Sequence, residues 1–309
     1  MTSSDDDRPA VLDRLRMPEP VLEALACPVC GAALGPGGSA LACTAGHRFD
    51  VAREGYAGLL TGHRTAGTGD TKEMVRARQE FQEAGHYAPL AARLAELAAQ
   101  APLPAGGLAV DAGAGTGYYL SAVLDRVTGA VGLALDLSKF ALRRAARAHP
   151  RAGAAACDTW RGLPLRTGSA AVLLNVFAPR RPAEFHRVLA DDGALLVATP
   201  TDRHLRGLVA DLGLVGVDAD KRERLESGLS AHFARTGGEE IEVALSLSPA
   251  EAAALVGMGP SARHLSPAEI ADRVAGLGDP VEAAASFALS VYRPARPADS
   301  ERVAPAAPG

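Results

Sequence analysis

Residues 108–119 read LAVDAGAGTGYY, and the fold follows from this stretch. LAVDA is a short apolar run ending in an acid, long enough for a buried strand and too short for a helix. Gly113, Gly115 and Gly117 then alternate directly before an amphipathic segment. Glycine is required where backbone must turn sharply and a ligand must lie against bare peptide. A dinucleotide-binding G-x-G-x-x-G loop would need its third glycine at position 118, where this chain has Tyr118.

Working outward, the rhythm repeats. AVGLALD (130–136), GAAAC (153–157), SAAVLLNV (169–176) and GALLVATP (193–200) are further strands, with helices between them such as 138–148 and 182–190. Alternating strands and helices predict a parallel sheet covered on both faces, an α/β doubly wound fold. Helices are expected at 203–212 and 219–234, then two long strands at 239–248 and 281–293 pairing as an antiparallel edge. The spacing D-x-G-x-G-x-G resembles the loop of class I methyltransferases, which bind S-adenosylmethionine (SAM). In that fold Asp111 and the three glycines would carry the cofactor's amino-acid end. Asp136, 25 residues on, would accept both ribose hydroxyls, and Asp158, just ahead of Leu163-Pro164-Leu165, would hold the adenine. A Gly-rich turn and strand-end acids also occur in other doubly wound folds; it is the three in order that point to SAM.

Upstream, Cys27-Pro-Val-Cys30, Cys43 and His47 give C-x2-C-x12-C-x3-H, the donors of a tetrahedral structural zinc site. Three of the four cysteines fall within 17 residues of a region too poor in apolar residues to fold unaided, where a metal would supply the missing stability. A redox C-x-x-C pair would not need Cys43 and His47. Cys157 stands apart and reads as a small core residue. Residues 72–100 read as two helices broken near Gly85.

The predicted organisation is a disordered segment at 1–19, a zinc-ribbon RNA-recognition module at 20–62, a helical linker at 63–104, the methyltransferase domain at 105–293 and a disordered tail at 294–309. The 309 residues are 48% hydrophobic and 22% charged, a composition that forms cores. No apolar run approaches a membrane span and the start is acidic, so a membrane or secreted protein is not expected. Few cysteines make the reducing cytoplasm the default.

These pieces, in this order, resemble the RlmA/TlrB family of large-subunit rRNA guanine-N1 methyltransferases. HRFDVAREGYAGLL (47–60), DTKEMVRARQEFQEAGHYAPL (70–90), LDLSK (135–139) and NVFAPR (175–180) all fall in family order. In NVFAPR the chain is closer to the branch conferring resistance to tylosin-type macrolides. The resemblance implies methylation of a guanine N1 in a 23S rRNA hairpin lining the peptide exit tunnel, by a homodimer that engages neither membrane nor DNA.

For that chemistry Asn175 would bond a base edge, Phe177 would stack on the base, and the Ala178 carbonyl would accept from N1–H. His204 is a candidate base. Each has a plainer reading as well: a satisfied strand end, a core aromatic, a surface histidine at a helix start. A net charge of −4 is not the footprint of an RNA binder, but residues 139–187 hold ten Lys/Arg against two acids. Arg180 and Arg181 follow the base-binding segment, where flanking phosphates would lie. The rivals are a small-molecule methyltransferase, with a pocket from residues 203–290, and a non-catalytic binding module.

Overall fold

A computed structural model describes residues 10–62, 69–214, 216 and 228–295. The first nine residues, most of the expected tail and most of the expected 219–234 helix lie outside these.

The main sheet has eight strands. In chain order they are β4 (Ala57–Gly58), β5 (Leu108–Ala112), β6 (Val131–Asp136), β7 (Ala152–Ala156), β8 (Ala170–Val176), β9 (Leu189–Pro200), β10 (Phe233–Leu247) and β11 (Val281–Pro294). Their spatial order is β10-β11-β9-β8-β5-β6-β7-β4. The strands from β4 to β9 pair in parallel, while β11 runs antiparallel to both β9 and β10. The expected antiparallel edge is therefore present, and the long strands reach further than their apolar cores suggest. Phe233 already lies in β10, at the end of the span expected to be helical.

The period of two sorts side chains onto two faces. In β5, Ala109 faces a core with helix α4 (Ala88–Ala99) and helix α5 (Tyr118–Arg126), while Leu108, Val110 and Ala112 face the opposite core. That second core is where the N-terminal segment goes, which corrects the expectation of disorder through residue 19. Helix α1 (Ala10–Arg14), helix α2 (Glu19–Ala24) and the residues between them carry Val11, Val21 and Leu15 into it, against Leu108, Val131 and Leu133. Met17 lies against Gly153, so closely that a Cβ there would sit 2.6 Å from its Cγ. Alanine-rich strands leave shallow faces, and this segment fills one of them.

The ribbon is a three-stranded antiparallel sheet of β1 (Leu34–Gly37), β2 (Ala40–Cys43) and β3 (Arg48–Asp50). β4 follows it and joins β7 of the main sheet, so the chain enters the larger domain before the expected boundary at 62. The two expected helices are α3 (Lys72–Glu83) and α4. Thr71 caps α3 by accepting from Met74 N at 3.2 Å, and Gly85, at φ 84°, makes the turn between them. They do more than link domains, because α3 packs on the glycine loop.

Candidate active site and zinc centre

The carboxyl ends of β5, β6 and β8 converge where strand order reverses, the usual ligand crevice of an open α/β sheet. Gly113, Gly115 and Gly117 all take positive φ, at 90°, 55° and 84°. A Cβ on Gly113 would lie 2.3 Å from that of Ala178, so the loop after β5 and the loop after β8 touch through bare backbone.

Asp136 ends β6 and organises this loop. Its Oδ2 accepts from Gly115 N at 2.8 Å and its Oδ1 from Ser138 N at 2.7 Å. Each oxygen keeps acceptor capacity for a further donor, as a bidentate grip on two hydroxyls requires. Helix α3 closes the other side. Thr116 Oγ1 donates to Gln82 Oε1 at 2.7 Å, and Arg78 pairs with Asp70 and donates to the Met258 carbonyl at 3.0 Å. Gln82, Arg78 and Asp70 were not legible as site residues, because nothing in a helical repeat marks a residue that meets a loop far along the chain.

Asp111 is 1% exposed and neither carboxylate oxygen has a hydrogen-bond partner. Burial, and then the nearby charge of Asp136, raise its pKa to about 8. An orphaned buried acid beside a backbone cradle fits a cationic ligand such as SAM, whose α-ammonium and sulfonium would favour its ionised form. In the ligand-free protein the folded state holds a proton that the unfolded chain releases near pH 4. That stabilisation is fully present below about pH 4 and is lost as pH rises to about 8, at roughly 1.4 kcal/mol per unit. Asp111→Asn should therefore gain on the wild type from pH 5 to 8 and level off above. Urea unfolding at a series of pH values measures this, and a difference independent of pH would show that Asp111 titrates normally.

Asp158 lies just beyond β7, at the edge of this crevice. Its Oδ1 accepts from Trp160 N at 3.1 Å, and its Oδ2 is 3.5 Å from Arg161 Nε. Asn175 is fully buried. Its Nδ2 donates to the Ala112 carbonyl at 3.1 Å and to Pro179 O at 3.0 Å, pinning the loop after β8 to the loop after β5. Its Oδ1 has no partner, so the side chain is both a structural tie and a spare acceptor.

Phe177 is 43% exposed and sits at φ 54°, backbone strain that persists only where its surroundings impose it and that gathers at functional sites. Its ring lies 5.4 Å from Phe287 and 6.3 Å from Tyr119. His204 packs against the same Phe287, with ring centroids 4.9 Å apart and planes tilted by 53°. Its Nδ1 is 3.2 Å from both the N and the O of Ser286, and burial lowers its pKa to about 4. It is held neutral at physiological pH, and a proton acceptor that weak is ill suited to general-base work. Of the two arginines expected on RNA, Arg180 is a correction: it is only 7% exposed, turned inward by the loop, whereas Arg181 stands at the surface. Cys157 is buried, and burial pushes its thiol well up, as a core residue requires.

In the ribbon, one donor atom from each of Cys27, Cys30, Cys43 and His47 lies within 4.8 Å of the others. Cys30 Sγ and Cys43 Sγ are 3.7 Å apart, and His47 Nδ1 is 3.4 and 3.6 Å from Cys43 and Cys27 Sγ. A tetrahedron with sulfur about 2.3 Å from zinc has edges near ~3.8 Å, so these spacings fit one structural zinc ion with all four ligands from protein. Burial raises the Cys43 thiol, but the backbone N–H groups of His47 and Ala45 and the His47 ring outweigh it and bring it down to about 6. A cleft of about 490 Å³ separates this centre from the main domain, lined by Cys27, Val29, Asp158, Arg161 and their neighbours.

Sheet order, glycine cradle and strand-end acids together define a class I SAM-dependent methyltransferase domain, here carrying a zinc ribbon. Comparison with known proteins narrows the class. Residues 25–64 match the family model of the RlmA N-terminal zinc ribbon. A Micromonospora griseorubida protein described as a 23S rRNA (guanine-N(1)-)-methyltransferase is 53% identical, over 89% of this chain and 98% of that one. The 23S rRNA (guanine(748)-N(1))-methyltransferase of Streptomyces fradiae is 46% identical, with the same coverage of both chains. A Bacillus subtilis protein described in the same terms as the first is 33% identical over 58% of this chain and 65% of its own length. The chain belongs to the family of 23S rRNA guanine-N1 methyltransferases.

Proposed function

We propose that this protein methylates N1 of a guanine in a 23S rRNA hairpin at the peptide exit tunnel, and that the modification confers resistance to tylosin-type macrolides. The observation that carries this reading is identity of about half over 98% of two relatives, which takes in ribbon, linking helices and catalytic crevice together. SAM supplies an electrophilic methyl on a sulfonium, so the chain's task is alignment of the target nitrogen.

The roles follow from the site. Asp111, Asp136 and Asp158 with the three glycines hold SAM. Phe177 offers its exposed face to the target base, backed by Tyr119 and Phe287. The Ala178 carbonyl and the unpartnered Asn175 Oδ1, buried beneath the loop after β8, are the acceptors assigned to guanine N–H groups. A neutral His204 supports the aromatic stack rather than removing the proton. The N1 proton would pass directly to solvent water, the amide and carbonyl oxygens accepting its hydrogen bond without taking the proton. The target base would have to be unstacked from its hairpin to reach them.

The boundaries of module, linker and catalytic domain given above, corrected at residues 10–19, are part of this reading, as are a homodimer and action on ribosomal RNA in the cytoplasm. Among the described residues no helix is long and apolar enough to cross a membrane. The rival small-molecule reading asks for a cavity built from residues 203–290. The cleft of about 490 Å³ lies between the ribbon and residues 157–187 and takes no residue from that span.

Purified protein with methyl-labelled SAM and an unmodified 23S rRNA transcript should yield 1-methylguanosine on nucleoside digestion. Label that stays out of RNA, with SAM bound normally, would overturn the proposal.

A further inference from the structure

Among the described residues three large apolar side chains stand out in solvent: Val29 at 55%, Trp160 at 64% and Phe177 at 43% exposed. Val29 lies on the zinc knuckle and lines the cleft, Trp160 lies on the loop after β7 between the cleft-lining Asp158 and Arg161, and Phe177 lies on the loop after β8. Trp160 is the chain's single tryptophan. A single exposed apolar side chain is ordinary at a protein surface; what sets Trp160 apart is the loop that holds it and the charges on that loop.

The loop that carries it is held from both sides. Arg161 Nη1 donates to the Thr61 carbonyl at 3.1 Å, tying the loop to the chain leaving the ribbon. Arg181 donates to the Arg161 carbonyl, tying it to the segment that follows Phe177. Trp160 N is fixed to Asp158. The indole is thus an exposed ring on a braced loop. Arg161 and Arg181, which brace this loop, and the cleft-lining Arg166 stand at the surface, whereas Asp158 pairs with Arg161 and Glu184 with Arg187.

We propose that Trp160 is a stacking platform for an unpaired nucleotide of the RNA substrate next to the target guanine, on the loop whose Asp158 and Arg161 line the cleft between ribbon and catalytic domain. Exposed aromatics set among arginines are how proteins hold single-stranded nucleotides: the ring takes the base and the guanidinium groups take the phosphates. The cleft, at about 490 Å³, is within the range of sites for small molecules, roughly 300–1,000 Å³. The inference rests on the rRNA reading and adds a second point of contact to it.

A single tryptophan makes the test direct. With the zinc-loaded full-length protein and S-adenosylhomocysteine present, titration with the substrate hairpin should change Trp160 emission saturably. S-adenosylhomocysteine alone and dilution of the protein should leave the emission unchanged. Trp160→Ala should raise KM for RNA about 10- to 100-fold, with kcat and SAM affinity within about threefold of wild type, and Trp160→Phe should recover most of the loss. Normal RNA kinetics in Trp160→Ala would overturn the inference alone, provided the wild type methylates rRNA. So would emission that follows the nucleoside alone, which would place the ring on the cofactor, or that follows protein concentration, which would place it under a second copy. A wild type that leaves rRNA unmethylated overturns the functional reading, and the inference with it.

Discussion

Asp136→Ala should reduce SAM affinity by about two to four orders of magnitude while leaving the protein folded. The carboxylate serves two purposes at once. It fixes the glycine loop through Gly115 N–H and Ser138 N–H, at 2.8 and 2.7 Å, and in the proposed function its remaining acceptor capacity goes to the ribose. Hydrogen bonds to a charged group contribute about 1.5–3 kcal/mol each, so losing two to the ligand accounts for the range. The fold should survive because Asp136 sits at a strand end, with Leu133 and Leu135 carrying the buried packing. Asp136→Asn keeps one acceptor and should fall between. Calorimetric titration with SAM measures all three proteins; binding of Asp136→Ala within threefold of wild type would remove the residue from the cofactor site.

Cys43→Ser should release the metal and collapse the ribbon. Structural zinc sites bind with apparent energies of about 10–16 kcal/mol, comparable with or larger than the stability of a whole small domain. The ribbon has little else to hold it. Leu34, Leu41 and Phe49 are its main buried side chains, and they belong to the same core as Leu163 and Leu165 of the large domain. Loss of the ribbon should therefore lower the melting temperature of the whole protein and abolish RNA methylation. The glycine loop lies on other elements, so SAM binding should fall far less. Elemental analysis should drop from one zinc per chain to none. Unchanged metal content and melting would show that these four residues are not a zinc site.

What could be read from the sequence, and what could not, divides along contact range. Alternating glycines after an apolar run, an acid closing the next strand and a Cys–His spacing are local patterns, and local patterns dictate local geometry. The sheet, the crevice and the ribbon followed from them. Val11, Leu15 and Met17 sit in a short segment whose order comes from packing on Val131 and Leu133 of β6 and on the bare backbone of Gly153 in β7, contacts with residues far along the chain that its own sequence does not announce. The burial of Arg180 and the neutral state of His204 depend on packing against neighbours distant in sequence, which residue type alone does not reveal. Arg78, Gln82 and Trp160 belong to the same class. Their contacts or exposure are set by loops more than 30 residues away, as in the 2.7 Å bond from Thr116 to Gln82.

The most direct test is primer extension on 23S rRNA after incubation with the protein and SAM. A methyl on N1 blocks Watson–Crick pairing, so reverse transcriptase should stop at one guanine in the exit-tunnel hairpin, and Asp136→Ala should leave no stop. Read-through of that hairpin by the wild-type reaction, with SAM bound and zinc in place, would contradict the account.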